Sequence, residues 1–356
     1  MQNVNKLIIK QEEDFGKIKE LWKKLEIGKE MTFFQSYEWS ILLYRQWGNS
    51  IFERRTSDIV IYYNKKIIAP FIIKRIGMSY KGIGLKRGIY FLGTGSYSDY
   101  MNFVYDQISE KEIYEFMNYV VNDNPQFMFY MFYINESNKL CTLIDSSKKI
   151  SSDIAVTIST KISAEEYCKL LSKSTRQNLR TALNRMNKDN LSYKIDMIDG
   201  ILPEELAEEL IIMHRKRVKS KNNKEPKKNL YTLLLKAQVD YKEKNNNIIK
   251  CAMKTIEKGV TIIVYLNNKI VGYLYGFYDD KSIRIVHNCF NEEYAFYSPM
   301  FRGTYDFLRE CCGNSIIDIV DFTRGNEEYK YKLGGKELKI NSYKFNYKNW
   351  RRYEEK

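Results

Sequence analysis

Thr261-Ile262-Ile263-Val264-Tyr265-Leu266-Asn267-Asn268-Lys269-Ile270-Val271-Gly272-Tyr273-Leu274-Tyr275-Gly276-Phe277-Tyr278 reads as two strands joined by a tight turn. Ile262–Leu266 is rich in β-branched and aromatic side chains, the composition of a buried strand. Asn267-Asn268-Lys269 supplies residues that tolerate the left-handed backbone of a hairpin turn. A third strand follows over Ile283–Cys289, after the polar Asp279-Asp280-Lys281-Ser282. Beyond the loop Phe290–Ser298 a helix starts at Pro299, a residue favoured in a first helical turn. Phe301, Tyr305, Leu308 and Cys312 give that helix one apolar face. A meander that runs into a helix N-terminus makes a candidate anion site, because the first N–H groups of the helix have no internal partner.

The hairpin occurs twice. Ile59-Val60-Ile61-Tyr62-Tyr63-Asn64-Lys65-Lys66-Ile67-Ile68-Ala69 aligns without gaps on Ile262–Gly272, with Ile59, Tyr62, Asn64, Lys66 and Ile67 identical to Ile262, Tyr265, Asn267, Lys269 and Ile270. Two accounts stand: a shared Lys/Asn/Ile composition, or a duplicated domain in which each copy folds around its own hairpin.

The 356 residues suffice for two domains with sizeable cores. No run of eighteen apolar residues is present, and Met1–Asp14 lacks the apolar stretch of a signal peptide, which leads us to expect a cytoplasmic protein. The six cysteines show no C-x-x-C spacing, and only His214 and His287 are available as imidazole ligands, so no metal site is expected. The net charge of +14 comes from a Lys-rich bias spread over the whole chain. Without a nucleic-acid motif it argues against a DNA binder, and it suits an anionic ligand such as a nucleotide, a nucleotide-sugar or coenzyme A.

Along the chain, helices are expected over Glu12–Leu25, Ser36–Trp47 and Ser109–Asn122, and strands over Tyr90–Leu92, Asn102–Tyr105 and Gln126–Tyr133. Gly93-x-Gly95 is either a plain turn or a weak phosphate-loop signal. The polar stretch Asn135–Asp153 is the expected domain boundary, with Ile154–Ile158 opening the second half. A helical pair, Ser163–Leu171 and Ser174–Lys188, carries Lys173, Arg176 and Arg180. Arg176 and Arg180 share one face, which is either a solvated basic surface or a clamp for a phosphorylated or carboxylated acceptor. A helix over Leu202–Val218, a basic loop over Lys219–Lys228 and a further helix over Asn229–Asn245 complete the pass.

Asp321-Phe322-x-x-Gly325-x-x-x-Tyr329-Lys330, the helix start Tyr294–Pro299 and the basic Ser174-Thr175-Arg176-Gln177-Asn178 together resemble the CelD-like and FemABX-like branches of the GNAT acyltransferase superfamily. The resemblance is clearest over Leu171–Lys332. Gln35-Ser36-x-Glu38-Trp39 and Ser98-Asp99-Tyr100 resemble the family's first domain. The resemblance implies two tandem GNAT-like domains, residues 1–150 and 151–356. Each is of α/β (α+β) class, a mixed, mostly antiparallel sheet flanked by helices. It implies N-acyl transfer from acyl-CoA, such as acetyl-CoA, to an amine of a sugar or cell-envelope polysaccharide precursor. The FemABX branch instead implies an aminoacyl-tRNA donor and peptidoglycan acceptor, and a non-catalytic binding protein that has kept the fold is a third reading. The chain departs from the family at Tyr297-Ser298-Pro299-Met300-Phe301-Arg302-Gly303, which has one late glycine where the GNAT pattern places a Gln/Arg-x-x-Gly-x-Gly/Ala loop.

The expected donor site is the helix start, Ser298, Pro299, Met300, Phe301 and Arg302. The expected acceptor groups are Arg176, Asn178, Arg180 and Asp99, placed in a cleft between the domains. For the chemistry, His287 is a candidate base or a packed histidine. Asp321 either accepts the amine proton or caps a turn. Tyr329 and Lys330 either donate a proton and neutralise anionic charge, or line a turn.

Overall fold

The computed structural model describes residues 3–27, 31–76, 78–80, 83–95, 97–221, 247–314 and 316–350. Strands β1 (Asn5–Ile9), β2 (Ser57–Tyr63) and β3 (Ile67–Lys74) pair antiparallel in that order. Asn64 turns the β2–β3 hairpin, its Oδ1 accepting from the Lys66 and Ile67 N–H groups at 2.8 and 3.0 Å. A small hairpin, β4 (Met78–Tyr80) with β5 (Ile83–Leu85), precedes β6 (Gly88–Phe91), which pairs antiparallel with β3. β7 (Val104–Tyr105) pairs with the start of β3, and β8 (Met128–Asn135) pairs parallel with β6. The helices α1 (Glu13–Gly16), α2 (Lys19–Leu25), α3 (Tyr37–Gly48), α4 (Ile51–Thr56), α5 (Glu110–Asn122) and α6 (Lys139–Leu143) accompany these strands. Trp22, Trp39, Phe71, Phe91 and Phe103 are buried in this part of the chain, and large apolar areas of this kind supply most of the folding free energy.

The second set of elements is β9 (Lys149–Ser159), α7 (Ala164–Leu170), α8 (Lys173–Lys188), β10 (Tyr193–Asp199), α9 (Glu204–Lys221), α10 (Ile248–Thr255), β11 (Gly259–Leu266), β12 (Lys269–Asp279), β13 (Ser282–Phe290), α11 (Pro299–Cys311), β14 (Ile319–Arg324), α12 (Glu328–Lys332) and β15 (Lys336–Asn346). Asn267 and Asn268 turn the β11–β12 hairpin at φ 49° and 61°. β10, β11, β12 and β13 pair antiparallel in that order, β13 pairs parallel with β14, and β14 pairs antiparallel with β9. The amphipathic α11 buries Tyr305, Phe307 and Leu308 against this sheet. Gly303 sets the close approach: a Cβ there would come within 2.5 Å of Val264 Cγ2. The glycine therefore serves helix–sheet packing.

Two compact units result, one of Met1–Asp153 with Leu338–Lys356, the other of Ile154–Glu337. Each is a mixed, mostly antiparallel sheet flanked by helices. Their pairing orders match: three antiparallel steps, one parallel step, one antiparallel step. The two similar hairpins, β2–β3 and β11–β12, hold the same place in that order. The expected segment 151–356 loses its final stretch to the first unit, because β15 pairs with β8 and Phe345 stacks on Phe129 with ring centres 5.3 Å apart.

Other expectations change locally. The helix expected over Glu12–Leu25 is two, broken at Lys17-Ile18. Asn135–Asp153 holds α6 and the start of β9, so it is no plain linker. The helix expected over Leu202–Val218 runs Glu204–Lys221. Of the basic loop expected over Lys219–Lys228, residues from 222 lie outside the described residues, as does the helix expected over Asn229–Asn245. All six cysteines are free thiols. Among the described residues no helix is long and apolar enough to cross a membrane, and no three His, Cys, Asp or Glu form a metal-ligand cluster.

Candidate functional site

The site starts where two parallel strands part. β13 and β14 pair through three rungs only, Ser282↔Ile319, Ile283↔Val320 and Arg284↔Asp321. Beyond that rung β13 continues to Phe290 along β12 alone. β14 bulges instead, with Thr323 at φ 50° and its hydroxyl donating to the Ile285 carbonyl at 2.9 Å. The last rung is also an ion pair. Arg284 donates from Nη1 to Asp321 and from Nε to Asp279 at 2.6 Å, and the Thr323 N–H reaches Asp321 Oδ1 at 2.7 Å. Asp321 is 1% exposed, so its charge depends on these donors.

A cavity of about 580 Å³ occupies this end of the sheet. Its walls include His214 and Arg217 of α9, Asn288 and Phe290 of β13, Glu327 and Tyr329, and the start of α11. At that start Ser298 is left-handed (φ 50°, ψ 45°) and its side chain makes no capping bond. Pro299 has no N–H, and the first helical bond is Arg302 N–H to the Ser298 carbonyl at 3.1 Å. The N–H groups of Met300 and Phe301 are therefore left without a cap, at the positive end of the helix dipole. The helix that joins the parallel strands of the first unit, α5, is closed by a full Ser109–Glu112 capping box.

Of the five residues expected at the donor site, Ser298, Pro299, Met300 and Phe301 line this cavity. Met300 lends its backbone, since its side chain lies on Gly272, where a Cβ would come within 2.3 Å of its sulfur. Arg302 does not line the cavity; it makes a bidentate bond to Asp306, both contacts at 2.7 Å.

The ionisable groups divide sharply. His287 is 5% exposed, its Nδ1 lies 3.0 Å from the Tyr273 hydroxyl, and its ring centre is 4.3 Å from that of His214. Burial, then the charge of His214, lowers the His287 pKa to about 3. His214 is lowered too, by burial and then by Arg217 and Arg215. Tyr329 moves the other way, raised by burial and then by the charge of Glu327. Its hydroxyl is buried and meets no hydrogen-bond partner among the described residues. Burial, the largest single effect, works against the ionised Glu327, but the hydrogen bond and charge of Lys330 and a backbone hydrogen bond together outweigh it and its pKa falls. Lys330 is 2% exposed and donates to the carbonyls of Phe322 and Gly325 at 3.0 and 3.1 Å and to Glu327 at 2.8 Å. It ties the turn after β14 together. Neither Asp321 nor Lys330 lines the cavity.

Within the second unit the expected acceptor groups line two separate hollows. Arg176 and Arg180 share a shallow recess with Lys173, and Arg176 donates to the Leu171 and Lys169 carbonyls at 2.6 and 3.2 Å. Asn178, on another face of α8, lines a second hollow of about 340 Å³ with Arg185, Lys332, Ser298, Phe301 and Tyr329. Asp99 belongs to the first unit and is 6% exposed. Its neighbours are fixed by the Gln35–Trp39 segment, through Trp39 Nε1 to Ser98 Oγ at 2.9 Å and Gln35 Nε2 to the Tyr100 carbonyl at 3.0 Å. Sequence reasoning missed His214, Arg217 and Arg185. His214 and Arg217 stand three apart on an expected helix, and His214 is one of two histidines, which was the available signal.

Residues 173–331 match the family model described as an acetyltransferase (GNAT) domain. Among solved structures, a conserved protein of unknown function from Bacteroides thetaiotaomicron VPI-5482 is similar over 97% of this chain and 99% of its own, at 12% identity and a TM-score of 0.51. FemX is similar over 95% of this chain and 96% of its own, at 8% identity and a TM-score of 0.51. No curated protein sequence matches. Residues 173–331 are thus a GNAT acetyltransferase-type domain lying within the second unit, and nearly the whole chain shares its fold with these two structures.

Proposed function

We propose that the second unit binds an acyl-CoA and transfers its acyl group to an amine of a sugar or cell-envelope precursor. One observation carries the donor half of this reading: the uncapped start of α11 opens onto a cavity beside the two parting strands. The N–H groups of Met300 and Phe301 would hold the pyrophosphate, and the gap past the Arg284↔Asp321 rung would admit the thioester arm. For the acceptor, the support is the resemblance of Ser174–Asn178 and Asp321–Lys330 to the CelD-like branch.

The chain's own residues suit the chemistry. As the amine nitrogen bonds to the acyl carbon and the carbon–sulfur bond breaks, one proton leaves the nitrogen and one reaches the sulfur. His214 is neutral and lines the cavity, so it can take the first. Tyr329 retains its proton and can give the second. His287 holds the His214 ring in place by contact.

Titration calorimetry with acetyl-CoA tests the donor site. Ser298→Asp sets a carboxylate beside the free N–H groups, where it competes with and repels phosphate, and it should weaken binding at least about tenfold without lowering the melting temperature. Unchanged affinity in that variant would place the pyrophosphate elsewhere. An aminoacyl-tRNA donor is favoured by one feature, the helix α8, which carries Lys173 and Arg176 in its first turns and no acidic residue. Binding of tRNA with a steep salt dependence, and none of acetyl-CoA, would select that reading.

A further inference from the structure

Side chains alternate along β12. Leu274 packs with Tyr305 and Leu308 of α11, and Gly272 meets Met300 at the start of that helix. Tyr273, between them, turns to the opposite face and bonds to His287, which lies against His214 of α9. α9 and α11 therefore cover opposite faces of the sheet. Both wall the main cavity, so that space joins the two faces where β13 and β14 part. With the donor assigned to the α11 side, the α9 wall is left for the acceptor. That wall presents His214 and Arg217, three residues apart and hence about 4.5 Å apart along the helix axis. The Arg217 guanidinium lies 4.0 Å from the centre of the Phe290 ring, a contact that holds the fork in place. Its Nε stands 3.6 Å from Glu292 Oε1, and Glu292 is not among the wall residues. The other charged wall residue, Glu327, is matched by Lys330 at 2.8 Å. An arginine fork one helical turn from a neutral histidine suits a ligand whose amine and anionic group are close neighbours.

We propose that the acceptor is an anionic amine, with a carboxylate or phosphate only a few bonds from its nitrogen, the anion on Arg217 and the nitrogen at His214. The inference rests on the reading of the cavity as an N-acyl transfer site and narrows its acceptor. After burial, it is the charge of Arg217 that holds the His214 pKa down most. An anion on the guanidinium offsets that charge, so the base gains strength once a matching acceptor is in place. A neutral amino sugar brings no such anion and leaves the base weak.

Three amino sugars built on one ring separate the parts: muramic acid, glucosamine 1-phosphate and glucosamine, which carry a carboxylate, a phosphate and no anion near the amine. Each is assayed with acetyl-CoA and the full chain by release of the coenzyme A thiol, and titrated calorimetrically in the presence of coenzyme A. At least one anionic sugar should exceed glucosamine in kcat/KM by about tenfold or more, as expected for one charged hydrogen bond, and the better of the two identifies the anion. Arg217→Gln should bring that ratio close to one, and Arg217→Lys, which keeps the charge, should retain part of it. Glucosamine used as well as both anionic sugars overturns this inference and leaves acyl transfer standing. An unchanged ratio with weaker acetyl-CoA binding in Arg217→Gln also overturns it, by making Arg217 a donor contact. So does wild-type protein that binds acetyl-CoA but neither binds nor acetylates any of the three. Failure to bind acetyl-CoA at all overturns both readings.

Discussion

His287 and His214 face each other with ring centres 4.3 Å apart, and both imidazoles are neutral at pH 7. The sign of the resulting pH dependence is fixed. The unfolded chain takes up a proton near pH 6.5, whereas folded His287 does so only near 3. Below 6.5 the unfolded state therefore binds more protons, and stability falls as pH falls. From about pH 6.5 to 4.5, before the carboxylates titrate, the slope should approach about 1.4 kcal/mol per pH unit for this histidine. Urea titrations at several pH values should show a shallower slope for His287→Gln. Identical slopes would mean that His287 is not held neutral.

Arg284 and Asp321 close the ladder from which the cavity opens. Arg284→Ala removes the guanidinium that is paired with the buried Asp321 and should cost about 3–5 kcal/mol. Asp279→Ala leaves the Arg284–Asp321 bond in place and should cost clearly less. Asp321→Asn should lower the melting temperature more than it lowers kcat, as expected of a residue that holds the fork. A large fall in kcat at unchanged stability would restore Asp321 to the chemistry.

Tyr329→Phe removes a hydroxyl that is buried without a partner among the described residues, so the melting temperature should hold or rise. Loss of the proton donor should cut kcat by roughly a hundredfold or more while the donor Kd stays constant. Single-turnover assays with acyl-CoA read the difference, and undiminished kcat would remove Tyr329 from the mechanism.

Ser298 stores strain at the helix start. A left-handed non-glycine residue costs roughly 1–2 kcal/mol. Ser298→Gly should recover up to about 1 kcal/mol of stability and preserve donor binding, because the N–H groups it leaves exposed are those of Met300 and Phe301. A gain in stability accompanied by lost affinity would assign the serine hydroxyl a direct contact.

What the sequence made legible is what local chemistry decides. The Asn-Asn turn, the strands β11, β12 and β13 and the start of α11 at Pro299 follow from neighbouring side chains, and they stand where expected. So does the likeness of the two hairpins. The late Gly303 was legible as a residue but not as a role, since its close neighbour Val264 lies on another element. The same holds for the site. Arg284 and Asp321, or His214 and His287, meet only once the sheet is assembled, and no periodicity links them. Arg176 and Arg180 share a recess as their four-residue spacing implies, whereas Asn178, two residues from Arg176, lies on another face of the helix.

The strand Lys336–Asn346 has a consequence for the order of events at the ribosome. The first unit begins to emerge early, yet β8, paired on one side with β6, receives its partner on the other side only after everything up to β15 has been made. The second unit, Ile154–Glu337, is complete before that moment. Assembly should therefore run against the direction of synthesis, the later-made unit finishing first while the earlier one waits with an open strand edge. Such an edge is a template for pairing with other chains. A nascent chain that has emerged only as far as residue 153 should be prone to aggregate, and one that has emerged as far as 337 should carry a folded second unit on an unfinished first.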